Sequence, residues 1–122
     1  MTEIKESSTN QINKAIALNV CPVTYTLAKI GGRWKPIIIY NLLGGTRRYS
    51  ELRRLIPAIT EKMLIQQLKQ LESDGLILRI SKNVIPPFVE YRLTETGLEL
   101  KPVLEAMVKW ANNDRNRISP VS

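Results

Sequence analysis

The chain has 122 residues, 43% of them hydrophobic, with one cysteine, no histidine, a net charge of +7 and a sequence pI near 9.8. That is about one domain with enough apolar content for a core. Without histidine there is neither a histidine-based triad nor a His-ligated metal, and one cysteine excludes a Cys-cluster zinc site and an internal disulfide, so no enzyme, metal or cofactor is expected. No apolar run is long enough to span a membrane and no charged-then-apolar leader is present, so a cytoplasmic protein without membrane partners is expected.

Residues 1–20 begin polar and then carry Ile12, Ile16 and Leu18, an arm that orders when something covers it. Pro22 suits the first turn of a helix to Ile30, with Val23, Leu27 and Ile30 spaced for burial, and Gly31-Gly32 ends it. Residues 35–43 follow. Ile37-Ile38-Ile39-Tyr40 and Leu42-Leu43 leave almost no polar face, as in the buried centre of a domain. A strand is the alternative for this run, and Pro36 and Gly44-Gly45 favour a helix. After a basic link at Arg47-Arg48-Tyr49, Ser50 is the expected cap of a short helix with Leu52 and Leu55 inward, stopped by Pro57.

The next helix organises the chain. Thr60 is a good N-cap, Glu61 suits the positive end of the helix dipole, and Gly75 can close the helix in the left-handed conformation. Leu64, Leu68 and Leu71 recur on one face. The opposite face carries Lys62, Gln66, Lys69 and Ser73, flanked by Met63 and Gln70, and no carboxylate. Solvated faces usually mix charge signs, whereas a helix entering the DNA major groove needs cations for phosphates and amides for base edges. Two helices with a short turn, the second polar outside, form a helix-turn-helix pattern.

Beyond Gly75 the period becomes two. Leu76, Leu78 and Ile80 alternate with Ile77, Arg79 and Ser81, and later Val89, Tyr91 and Leu93 alternate with Glu90 and Arg92. Residues 82–87, with Pro86-Pro87, cannot continue a strand and become a stiff hairpin tip. This is either a wing that lies along DNA or a hairpin that only completes the core. Thr94 and Thr96 are candidate caps for a last helix, Thr96 with Glu99 as a capping box, and Pro102 should kink its first turns. Leu100, Val103, Leu104, Met107, Val108 and Ala111, with Trp110 at the edge, make a stripe wider than a small core needs. A homodimer seam built from both chain ends accounts for it, and a buried monomeric helix is the rival. The polar end from residue 112 reads as a loose tail.

Between residues 29 and 82 there are eleven Lys and Arg against four Asp and Glu, which is the whole net charge. A basic segment around a helix-turn-helix is the electrostatic footprint of a nucleic-acid partner.

In this order of elements the chain resembles the HxlR-type winged-helix regulators of bacteria and archaea over residues 21–110. The resemblance rests on Cys21-Pro22-Val23, Ile30-Gly31-Gly32-Arg33-Trp34-Lys35, Tyr49-Ser50-Glu51-Leu52, Thr60-Glu61-Lys62-Met63-Leu64, Gln67-Leu68, Leu71-Glu72-Ser73-Asp74-Gly75-Leu76, Pro86-Pro87, Val89-Glu90-Tyr91 and Leu93-Thr94-Glu95-Thr96-Gly97. It implies a mainly α fold with a small β-hairpin: a dimerising arm (1–20), a winged helix-turn-helix domain (21–94), a dimerisation helix (95–113) and a flexible tail (114–122). It further implies a homodimeric transcriptional regulator whose partner is double-stranded DNA. Carried over by position, the helix after Thr60 is the recognition helix, with Lys62, Met63, Gln66 and Lys69 facing bases. Arg47, Arg48, Ser50, Arg53, Thr60 and Lys82 are then the expected phosphate contacts.

Some members of that family sense oxidants or electrophiles through a cysteine near the domain start, where Cys21 stands. A helix start also favours thiolate, while a small buried hydrophobe is the plain alternative. The competing function is a winged-helix module that binds protein without specific DNA binding; it calls for an apolar or acidic outer face in place of Lys62, Gln66 and Lys69.

Overall fold

The computed structural model describes residues 19–118, and a helix almost without a polar face, Lys35–Leu42, is central to the packing of its larger unit. The arm expected over residues 1–20 lies almost wholly outside the described residues, as does the end of the expected tail. The described residues form two compact units, one ending at Gly32 and the other beginning at Arg33, a division inside the span read as one DNA-binding domain.

The first unit carries helix α1, Pro22–Ile30, with Pro22 at its first position and Cys21 as its N-cap. Ile30 is buried, but Val23 and Leu27 are exposed, contrary to the spacing-based expectation.

In the second unit α2 is Lys35–Leu42, so the isoleucine run is a helix and not a strand. Ile38, Ile39 and Leu42 are buried, whereas Ile37 and Tyr40 are partly exposed. It packs against α3 (Tyr49–Leu55), α4 (Glu61–Ser73), strand β3 (Phe88–Leu93) and α6 (Lys101–Ile118). The basic link proves to be a two-residue strand, β1 (Arg47–Arg48), and the sheet order is β1-β3-β2 with β2 at Ile77–Lys82, antiparallel throughout. Its register sets Arg47 opposite Tyr91, Arg48 opposite Glu90 and Lys82 opposite Phe88.

Pairing of β1 holds Arg48 extended, and α3 therefore begins one residue before the expected Ser50 cap: Arg48 is the N-cap and Ser50 lies inside the first turn. Glu51 Oε1 accepts from the Arg48 backbone N–H at 2.9 Å. A guanidinium has no acceptor, so only this return half of a capping box can form. Leu52 is fully buried, while Leu55, expected inward, is 45% exposed. Ile56, placed before Pro57 and therefore biased out of the helical region, ends α3. Ile56 and Ile59 bury the turn into α4.

Helix α4 matches its sequence signals. Thr60 Oγ1 accepts from the Met63 N–H at 3.1 Å, and Leu64, Leu68 and Leu71 are buried. Full burial of a leucine contributes about 1.5–3 kcal/mol, so these three anchor the helix and fix which face looks outward. Gly75, at φ 74°, closes it: its N–H reaches Glu72 O and the Leu76 N–H reaches Leu71 O, the two bonds of a Schellman ending. Leu76 thus belongs to the helix closure, and Ile77 rather than Leu78 is the buried residue of β2.

Thr94, not Thr96, caps the short helix α5 (Glu95–Leu98), accepting from the Gly97 N–H at 3.1 Å. Helix α6 begins anew at Lys101 and contains Pro102 in its first turn, where a missing N–H costs nothing, so proline opens a helix instead of kinking one. Residues 114–118, read as tail, are its last turn, with Arg117 and Asp114 paired at 3.7 Å. No described helix is long and apolar enough to cross a membrane.

Candidate nucleic-acid interface

The outward face of α4 presents Lys62, Gln66, Lys69, Gln70 and Ser73, with Lys62, Gln66, Lys69 and Gln70 exposed. Met63 is half-buried at the flank, where its sulfur accepts from Gln67 Nε2 at 3.5 Å. The two carboxylates of the helix are turned aside. Glu61 Oε2 lies 3.9 Å from Arg53 Nη1, and Glu72 faces the hairpin. The face therefore offers ammonium, amide and hydroxyl groups with no competing acid.

The expected phosphate contacts divide. Successive strand residues point to opposite sides of a sheet, so Arg47 and Arg48 part company. Arg47 Nε donates to the Asn41 carbonyl at 3.3 Å and lines a cleft between α2 and α6. Arg48 lies over the Phe88 ring, 3.8 Å from its centroid, and shares a second cleft with Ser50, Lys69 and Arg79. Arg53 is partly buried, and its Nη1 lacks a hydrogen-bond partner in reach. Thr60 spends its oxygen on the cap and keeps a hydroxyl proton to donate. Lys82 pairs with Glu90 at 3.5 Å at the base of the hairpin tip; such half-exposed pairs exchange readily with solvent or a stronger anion.

Sequence reasoning missed the second cleft, of about 660 Å³, between the N-terminus of α3, one flank of α4 and the hairpin. Its walls include Tyr49, Ile65, Phe88, Val89 and Tyr91. Burial pushes the Tyr91 phenol up, with partial relief from the neighbouring Arg79. The signal available was Phe88 beside the tip prolines, since an aromatic there has no polar role.

In the first unit the Cys21 thiol is exposed. Its Sγ lies 3.1 Å from Thr24 Oγ1 and 3.5 Å from the Thr24 N–H. Those bonds, the hydroxyl first, hold its pKa below the usual thiol value. The reading of Cys21 as a buried hydrophobe is thereby excluded.

On α6 only Leu104 of the stripe is buried. Val103, Met107, Val108 and Trp110 are exposed, and Leu100 and Ala111 are intermediate. Among the described residues, little of the stripe is thus covered by the chain itself.

Residues 29–119 match the profile of the HxlR-like helix-turn-helix family. An HTH-type transcriptional regulator of Bacillus subtilis, YtcD, is 50% identical over 96 residues, covering 79% of this chain and 76% of that protein. The fold is similar to the redox regulator HypR in its reduced form, with a TM-score of 0.76 and 42% identity over 83% of this chain and all of that one. It is also similar to the reduced transcriptional regulator YodB of B. subtilis, with a TM-score of 0.69 and 34% identity over 84% of this chain and 99% of that one. With a capped, leucine-anchored helix presenting a carboxylate-free outer face beside a winged sheet, the chain belongs to the HxlR-like helix-turn-helix family of transcriptional regulators.

Proposed function

We propose that the chain acts as a homodimer that binds a pseudo-palindromic operator, with two recognition helices in half-sites about 34 Å apart. The observation that carries this reading is the outer face of α4, exposed, cationic and free of carboxylates. Lys62, Met63, Gln66 and Lys69 face base edges. Arg48, Ser50, Arg53, Thr60 and Lys82 hold phosphates, and Arg47 leaves that group because its side chain is committed to Asn41 on the other face of the sheet. The exposed stripe of α6, from Val103 to Trp110, supports a role as the dimer seam.

Regulation through Cys21 fits the same protein. An exposed thiol with a lowered pKa is the form that oxidants and electrophiles attack. The likeness to the redox regulator HypR points the same way.

The test compares operator and random DNA for two variants. Lys82→Ala, at a phosphate contact, is expected to weaken binding to both alike and reduce the salt slope by about one. Gln66→Ala is expected to remove roughly 1–3 kcal/mol of discrimination at one base pair. Equal loss on specific and random DNA for Gln66→Ala would withdraw the base-reading role. Repeating the titration with oxidised protein and with Cys21→Ser tests the switch: an oxidant effect that survives the substitution removes Cys21 from it.

A further inference from the structure

We infer that the cleft between α4 and the hairpin is a binding site for a small aromatic carboxylate. Its volume of about 660 Å³ lies in the range of ligand sites and exceeds the needs of a single benzene ring. Ile65, 40% exposed on the flank of α4, and the rings of Tyr49, Phe88 and Tyr91 form flat apolar walls suited to an aromatic plane.

The polar groups of the cleft specify the rest. The Tyr49 side chain lines the cleft, and its hydroxyl is buried with no hydrogen-bond partner in the described structure, an unspent donor beside the cleft. Arg48, Lys69 and Arg79 line the cleft against Glu61 and Glu72. Glu61 is drawn aside to Arg53, so the cations prevail and an anion is favoured over a cation. Arg48 keeps the face of its guanidinium on Phe88, which leaves its N–H edges for a carboxylate.

The position of the site gives it a consequence. Lys69 belongs both to the cleft and to the outer face of α4, and Gln66 follows Ile65 directly. A bound carboxylate neutralises Lys69 and occupies the space between recognition helix and wing, so it lowers affinity for DNA. This effect rests on the DNA-binding reading above; the binding itself does not.

Calorimetry of the full chain with 2-naphthoate, and with the neutral 2-naphthamide as control, tests the site. The expected result is saturable binding of one naphthoate per chain and little or none of the amide. Tyr49→Phe should weaken it about fivefold, the effect of one net hydrogen bond, and Ile65→Trp should abolish it by filling the cleft. Circular dichroism confirms that both variants are folded, and Tyr49→Phe stands alone should Ile65→Trp fail. Absence of saturable binding into the millimolar range, or binding indifferent to Tyr49→Phe in a folded protein, overturns the proposal. Variants that lose DNA affinity while wild type ignores naphthoate also overturn it and give the cleft to the DNA backbone. Naphthoate binding that leaves DNA affinity unchanged supports the site and counts instead against the place given to Lys69 in the DNA interface.

Discussion

Replacing Gly97 by alanine tests how the last helix is fastened to the winged domain. Gly97 is buried in α5, its N–H bonded to Thr94 Oγ1 at 3.1 Å. A Cβ there would overlap the Leu76 carbonyl oxygen, with its carbon at 3.2 Å and Leu93 Cδ2 at 3.1 Å. The Leu76 carbonyl cannot give way cheaply. It accepts the Thr94 N–H at 3.0 Å, the Leu76 N–H closes α4 on Leu71 O, and the Thr94 hydroxyl donates to Gly75 O at 2.7 Å.

Overpacking a side-chain core costs about 1–3 kcal/mol, and relief here also sacrifices a backbone hydrogen bond worth about 0.5–1.5 kcal/mol net. Against this stands the ordinary gain of alanine over glycine in a helix, about 1 kcal/mol. The net expectation is a loss of about 0.5–3.5 kcal/mol, a sizeable share of a typical stability of about 5–15 kcal/mol. With a urea m-value of about 2 kcal/mol/M, the unfolding midpoint should fall by roughly 0.3–1.8 M. A midpoint that is unchanged or raised would mean that α5 does not bear on Leu76 as described, and the reasoning would fail.

Thr60→Ala removes the cap on Met63 N and should cost about 0.5–2 kcal/mol in urea unfolding, with Thr60→Ser restoring most of it; equal losses for both would disprove capping by the hydroxyl. Thr24→Ala withdraws the hydroxyl that most lowers the Cys21 pKa, so the pH profile of alkylation by iodoacetamide should move to higher pH. An unmoved profile would assign the shift to the helix end alone. Met107→Glu places a charge in the exposed α6 stripe and should yield monomers in sedimentation; a dimer of undiminished strength would move the seam elsewhere.

Local chemistry makes much of the site legible in the amino-acid order. Thr60, Gly75 and the three leucines specify α4 through interactions within a few residues, and a helix of known phase dictates that Lys62, Gln66 and Lys69 share a face. The change of period at Gly75 and the paired prolines at the tip announce the hairpin for the same reason. Cys21 next to Pro22 marks a helix start, and Thr24 lies one turn away from it.

Other features depend on what meets across the fold. The pairing of Arg47 with Tyr91 and of Arg48 with Glu90 joins distant segments, and no local signal announces a two-residue strand. That pairing moves the α3 cap from Ser50 to Arg48 and sends Arg47 and Arg48 to opposite sides. The Schellman closure absorbs Leu76 and so decides that Ile77, not Leu78, enters the core. Burial likewise sorts Leu52 from Leu55 and leaves the α6 stripe open, because spacing specifies which residues share a face but not whether anything lies opposite. Most helices and the phase of the polar face of α4 follow from residue order alone, since they rest on short-range hydrogen bonds and periodicity. The third strand, the cleft and the fate of each arginine are settled by tertiary packing, since those depend on groups far apart along the chain.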